Sequence, residues 1–298
     1  MESGTGSFWT YIPVDAAKES FEKVTKATSC PAGSSPDTQL DCLLSASSSA
    51  IASAVKSVPC RDACTWAPVV DGVLVKGRTV EVARAGGLRP KTPIIAGFNL
   101  NDGAMFVPGY PISTSTMTSK GLTSYFTDRF GDFATTNLQK EFPVPSATAV
   151  SWISNYFYSA QACETDFSYS CTAEWVASAV SGSQTYVYQF SEPTSNGLVL
   201  HGDEIGYVFG TLSKPTASQT TTSNLTMSYW ANFAKTGSVN GNDLHGNGLP
   251  DWPLWSEKAG ALLNITATPK VALTPNNSFV GCPFFHSNWD YYGGCLPP

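Results

Sequence analysis

The stretch Thr92–Phe106, TPIIAGFNLNDGAMF, decides how this chain is read. Its first part, Thr92 to Leu100, is a short apolar run that ends in the polar turn Asn101-Asp102-Gly103, the pattern of a buried parallel strand and its exit loop. A second stretch, Leu200–Gly210, LHGDEIGYVFG, complements it chemically. His201 follows an apolar run, sits on a glycine-containing turn and precedes the acids Asp203 and Glu204. Loops held between ordered elements are where catalytic bases tend to sit. A carboxylate that accepts the far N–H of an imidazole fixes its tautomer and stabilises the imidazolium, so Asp102 is the candidate acid and His201 the candidate base. The other two histidines read as solvated or structural: His245 in a flexible loop, NDLHGNG, and His286 close to Cys282.

Outward from these segments, helical and strand patterns alternate. Val14 to Ser29 is predicted helical, with Asp15 as N-cap and Phe21 and Val24 on one face. After CPAGSSPD, a second helical stretch is predicted from Thr38 to Ser57, so Cys30 and Cys42 bracket a helix-loop-helix corner. A bridge there closes a short loop, worth about 3 kcal/mol in chain-entropy terms. AEWVASAV and TYVYQF read as helix then strand, and NLTMSYWANFAKTG as a helix stopped by Gly237. The alternation predicts an α/β fold. TGSVNGNDLHGNGLP reads as a surface spacer, and neither an internal repeat nor a domain boundary is visible.

With 298 residues and 42% hydrophobic positions, the chain is long enough to bury about three quarters of the surface its unfolded form exposes. Charged residues are only 13%, the net charge is -6, and the few Lys and Arg are scattered, so a nucleic-acid partner is not expected. No apolar run approaches the ~18 residues of a membrane span. Eight Cys and three N-x-S/T sequons, at Asn224, Asn264 and Asn276, point to an oxidising secretory or extracellular route. A signal peptide is then expected upstream of Met1. No cofactor or metal is expected: Cys60 and Cys64 in CRDAC are a weak zinc signal without a second ligand pair, and they are equally able to close a small loop.

TPIIAGFNLNDGAMF resembles the acid-bearing segment of the type-B carboxylesterase, cholinesterase and fungal lipase family, and LHGDEIGYVFG resembles its His-bearing segment. APVVDG, CPAGSSPDTQLDCLLS, TYVYQF, MSYWANFAKTG and DWPLWS match further family segments in the same order, so the similarity runs along essentially the whole chain. The resemblance implies the C-terminal part of an α/β-hydrolase fold, a mostly parallel sheet flanked by helices, with residues 1–298 one incomplete domain. It implies hydrolysis of a small-molecule carboxylic ester, with Asp102 and His201 as two members of a Ser-Asp-His triad. Many relatives carry Glu in place of Asp102, which asks the backbone to bring the shorter acid closer to His201. Glu204 matches a buried carboxylate near the His in the cholinesterase-like branch, and equally reads as an acid at a helix start.

The resemblance also bears on MESGTG, residues 1–6, which looks at first sight like a nucleophile turn. In the family a short x-S-G segment is the strand after the nucleophile elbow, so Ser3 is expected to be a strand residue. The elbow needs Gly on both flanks of G-x-S-x-G; Met1 and Thr5 stand there, and the pattern occurs nowhere in the sequence. Since the chain order in α/β-hydrolases is Ser, acid, His, the nucleophile and the oxyanion loop are expected upstream of Met1, in a half missing from this chain, which is then inactive alone. A non-catalytic cholinesterase-like binding or adhesion module is the alternative. Among the cysteines, Cys30 with Cys42 and Cys171 with Cys282 match bridges found in the family, which leaves Cys163 and Cys295 as extra. A local scheme, Cys163 with Cys171 and Cys282 with Cys295, is equally open.

Overall fold

The computed structural model describes residues 2–4, 6, 11–31, 33–57, 66–87, 92–148, 150–180, 183–256, 258–273 and 279–288. The chain divides into two compact units, Phe8–Arg78 with Asp290–Pro298, and Met1–Ser7 with Thr79–Trp289; no shift in composition marks that division.

In the first of these, β1 (Ile12–Pro13) runs into α1 (Val14–Ala27), followed by α2 (Pro36–Ser45), α3 (Ser48–Ser57) and β2 (Val69–Val70), which pairs parallel to β1. Pro13, not Asp15, holds the cap position of α1. Proline's fixed φ suits a helix entry, and Asp15 lies instead in the first turn, where its charge meets the helix dipole. The expected single helix over Thr38–Ser57 is broken at Ala46 and Ser47. The serine-rich stretch offers the backbone local partners: Ser45 Oγ bonds the Asp41 carbonyl, and Ser47 Oγ accepts the Ala50 N–H as the N-cap of α3. Cys30 and Cys42 are joined here, with Cα atoms 5.8 Å apart.

The larger unit opens with α4 (Thr79–Arg84) and β3 (Ile94–Asn99), which ends in a 3-10 turn (Asp102–Phe106). Then come α5 (Ser113–Thr116), α6 (Ser119–Phe130), α7 (Asp132–Glu141) and α8 (Asn155–Thr165), which passes through a π turn (Asp166–Ser170) into α9 (Cys171–Ala179). β4 (Thr185–Phe190), α10 (Ile205–Val208), α11 (Ala217–Thr236), β5 (Ala261–Ile265), β6 (Lys270–Leu273) and α12 (Cys282–Ser287) complete it. The sheet order is β3-β4-β5-β6, with the first two pairings parallel and the last antiparallel.

Parallel central strands are buried on both faces and so read as near-continuous apolar runs, as IIAGFN and TYVYQF do. Ile95, Gly97 and Asn99 lie opposite Tyr186, Tyr188 and Phe190, and this face enters the main core with Tyr229, Trp252 and Leu263. α11 supplies Tyr229, and its Trp230 meets Tyr188 edge-on at 5.3 Å. The helix starts seven residues before the predicted segment, because Thr216 and Gln219 form a reciprocal capping box. It stops at Gly237, whose φ of 78° lets its N–H bond the Phe233 carbonyl. Ser3 sits at a bend rather than in a strand: Glu2 bridges Gly97, and the Ser3 N–H bonds the Gly97 carbonyl at 3.0 Å.

Gly97 is required by the aromatic face. A Cβ there would stand 2.2 Å from the Tyr188 ring, and the ring is locked by its neighbours. Gly97→Ala is therefore expected to destabilise the protein by about 1–3 kcal/mol through overpacking, read as a lower urea midpoint; an unchanged midpoint would contradict the packing described.

Candidate active site

The two segments that open the sequence reading meet in space. Asp102 begins the 3-10 turn at the end of β3, and His201 sits on the turn that precedes α10. His201 Nδ1 lies 3.0 Å from Asp102 Oδ1, across 99 residues of sequence. Asp102 has 0% of its surface exposed, and its Oδ2 accepts the Asn99 backbone N–H at 2.7 Å. The His201 side chain is 36% exposed, so the imidazole is anchored on its acid side and open on the other.

Local backbone chemistry fixes both turns. Gly103 donates its N–H to Thr165 Oγ1 at 2.9 Å, and a Cβ on Gly103 would stand 2.4 Å from the Thr165 nitrogen. Only glycine lets the acid turn seat this closely on the end of α8. In the His turn, Gly202 takes a φ of 86°, while Asp203 Oδ2 accepts the Leu200 N–H at 2.7 Å. Asn101 ties the two turns together: its N–H bonds the Val199 carbonyl at 2.9 Å, and its Oδ1 accepts the Val199 N–H at 3.1 Å.

Glu204 is buried, with Oε2 accepting the Asn99 side-chain amide, which also donates to the Leu200 carbonyl at 2.7 Å. Ser3 is buried on this acid side, its Oγ 3.5 Å from Glu204 Oε1. Asn99, Asn101 and Thr165 are site residues that the sequence reading missed. For Asn99 and Asn101 the alternation N-L-N-D was the one signal, since polar side chains at the mouth of a buried strand need partners; nothing local marked Thr165. The His201 ring is framed by Phe106, edge-on at 5.6 Å, and by Tyr169 at 5.0 Å.

The electrostatics follow from burial and pairing. Burial pushes the Asp102 carboxyl up, an effect opposed by the His201 and Asn99 hydrogen bonds. The hydrogen bond to Asp102 raises His201 above its usual range, against partial burial. Burial also raises Glu204, opposed first by the Asn99 amide. With Nδ1 held on a carboxylate, Nε2 is the nitrogen able to exchange a proton with a reacting group.

The remaining candidates lie elsewhere. Cys171 and Cys282 are bonded, with Cα atoms 5.2 Å apart, and Cys163 is a buried free thiol. The local Cys163–Cys171 scheme is thus overturned: the two stand eight residues apart on one nearly continuous helical run, a rise of about 12 Å. Cys60, Cys64, Cys295 and Asn276 lie outside the described residues. Asn224 is inside α11, and Asn264 is in β5 between two strands. His245 is exposed in its turn, and His286 stacks on Trp175 at 4.0 Å. Among the described residues, no helix is long and apolar enough to cross a membrane.

A sequence-family model described as the carboxylesterase family matches residues 1–282. Carboxylesterase 1C of Rattus norvegicus is 30% identical over 235 residues, covering 71% of this chain and 40% of that protein. Acetylcholinesterase 1 of Caenorhabditis elegans is 35% identical over 115 residues, 34% of this chain and 18% of that protein. The crystal structure of EstA from Aspergillus niger matches with a TM-score of 0.74 at 20% identity, covering 96% of this chain and 57% of that one. The fold is that of an α/β-hydrolase, and the chain spans less than two thirds of the length of these relatives.

A raised His201 pKa has a definite sign. The protonated imidazole is favoured in the folded state, so its contribution to stability is fully present below the unfolded value of about 6.5. It is lost as pH rises through the higher folded value. Proton NMR titration of the His201 ring should place its midpoint above that of a free histidine, and Asp102→Asn should bring the midpoint down. A midpoint unmoved by Asp102→Asn would remove the acid assignment.

Proposed function

Because the chain belongs to the carboxylesterase family, we propose that it supplies the acid and the base of a Ser-His-Asp triad that hydrolyses carboxylic esters of small molecules. The contact between His201 and Asp102 at 3.0 Å carries this reading. In the proposed reaction, a serine hydroxyl attacks the ester carbonyl as His201 Nε2 takes its proton. Asp102 stays ionised, holds the tautomer and stabilises the imidazolium. His201 then returns the proton to the leaving alcohol, and the same nitrogen activates the water that releases the acid from the acyl-serine. Glu204 and Asn99 act behind the pair as positioning residues.

The nucleophile is proposed to lie outside these 298 residues. The sequence has no G-x-S-x-G, and Ser3 Oγ contacts the Glu204 carboxylate. Residues 1–298 are read as part of a single α/β-hydrolase domain. Two disulfides and the sequons support passage through an oxidising secretory route.

The test is hydrolysis of a short-chain aryl ester. The 298-residue chain alone is expected to give no turnover above background. A fusion that places the elbow and oxyanion loop of a family member in front of it should be active, and His201→Ala in that fusion should lower kcat by about six orders of magnitude. A bare chain that is active, and loses its activity with Ser3→Ala, would make Ser3 the nucleophile. A folded but inactive fusion would favour the binding-module alternative.

A further inference from the structure

A cavity of about 470 Å³ lies between the end of β3, the connection from α7 to α8, α8 itself and Val280 just before α12. Its walls are mainly apolar, with Phe98, Leu100, Phe142, Pro143 and Tyr158 among them, and its size is that of a small-molecule site. None of Asp102, His201, Phe106, Tyr169 and Glu204 borders it. It is therefore a separate space from the one beside the imidazole.

One buried side chain on its wall has hydrogen-bond donors to spare. Gln161 borders the cavity with only 2% of its surface exposed, and its Oε1 faces the Thr165 hydroxyl at 3.4 Å. That hydroxyl accepts the Gly103 N–H and presents its own hydrogen to Gln161, whose carbonyl takes it at 2.8 Å. The amide oxygen is thus the atom turned towards Thr165, and Nε2 is left for the cavity. Nε2 has no acceptor among the described residues, yet it is not sealed from open space. A buried donor without a partner is costly, so an oxygen that enters the cavity gains a hydrogen bond there.

Charge decides which oxygen. Asp166 also borders the cavity, its carboxylate held by Ser170 and by the Phe279 and Gly281 N–H groups, and it is in no ion pair among the described residues. Burial pushes it up to about 6, so it is ionised at neutral pH. The two exposed charges on the wall, Lys140 and Glu141, are of opposite sign and leave the cavity net negative. A carboxylate ligand is disfavoured, and a neutral carbonyl fits.

We propose that this cavity binds an uncharged, largely apolar small molecule through a carbonyl oxygen that accepts the Gln161 Nε2–H, with its hydrocarbon part against Phe98, Phe142 and Tyr158. The site stands whether or not the chain takes part in ester hydrolysis. Its occupant bears on the Asp102 turn through one side chain, because Thr165 touches both Gln161 and Gly103.

The test is calorimetric titration of the full chain with benzophenone, a neutral ketone that esterases do not hydrolyse. One equivalent should bind saturably. Diphenylmethane, which keeps the two rings and lacks the acceptor, should bind about three- to tenfold more weakly, and the benzoylbenzoate anion should bind more weakly than the ketone. Gln161→Leu should remove the preference for ketone over hydrocarbon. Irradiating the bound ketone locates the site on the unaltered chain: the excited carbonyl takes a hydrogen atom from a nearby C–H, and the two radicals join as a tertiary alcohol. Adducts should fall within residues 140–145 or 158–162. The proposal is overturned if benzophenone does not bind saturably, if diphenylmethane or the anion binds as tightly, if Gln161→Leu keeps the preference, or if the adducts lie elsewhere. Binding is read without turnover, so its failure leaves the ester-hydrolysis reading untouched, and an inactive fusion leaves this site untouched.

Discussion

A carboxyl group with no exposed surface is tolerated only where its oxygens are occupied, and Asp102 is such a group. One oxygen faces His201 and the other takes the Asn99 N–H. Losing a partner of a buried charge costs about 3–5 kcal/mol, because the remaining charge is left uncompensated. The end of β3 and the turn before α10 are therefore obliged to close on each other. Asn101 bonding Val199 in both directions, and Asn99 reaching Leu200 and Glu204, are the means by which the backbone meets that obligation.

The scaffold that permits this closure is the parallel pairing of β3 with β4. A parallel sheet buried on both faces leaves its polar chemistry to the strand ends. Asp102 thus emerges where IIAGFN stops, and His201 arrives on the loop after TYVYQF. The aromatic face of β4 sets the spacing: Tyr188 occupies the space a side chain at Gly97 would need, and it rests on Trp230 of α11. Rigid packing of this kind is what lets a 3.0 Å contact between two loops persist.

Beneath the acid turn, two further buried carboxylates are satisfied in different ways. Burial alone would raise Glu164, but the Arg129 guanidinium, bonded at 2.9 and 3.0 Å, overcomes it and holds the carboxyl low. Asp166 is held by backbone N–H groups and the Ser170 hydroxyl, with no cation beside it among the described residues, and burial pushes it up to about 6. The charge-paired acid anchors α6 to α8, and the neutral-donor acid anchors the segment before α12. Thr165, between them, receives Gly103. The helical layer is therefore tied to the Asp102 turn by polar contacts as well as by packing.

Much of this was legible in the sequence. The apolar run with a polar exit turn marked β3; the glycine turn with its acids marked the His loop; Gly237 marked the end of α11. These signals are local, because strand periodicity, turn chemistry and helix termination act within a few residues. Where propensity was weak, as in the serine-rich run between α2 and α3, local side-chain bonding broke the helix that apolar spacing alone predicted. Tertiary structure decided the rest. The partner of Cys171, the burial of Glu204, the roles of Asn99, Asn101 and Thr165, and the side of the site that Ser3 faces all depend on contacts between residues far apart in the chain. A single sequence constrains which residue types are available, but only closure of the fold determines which buried polar group must satisfy which other.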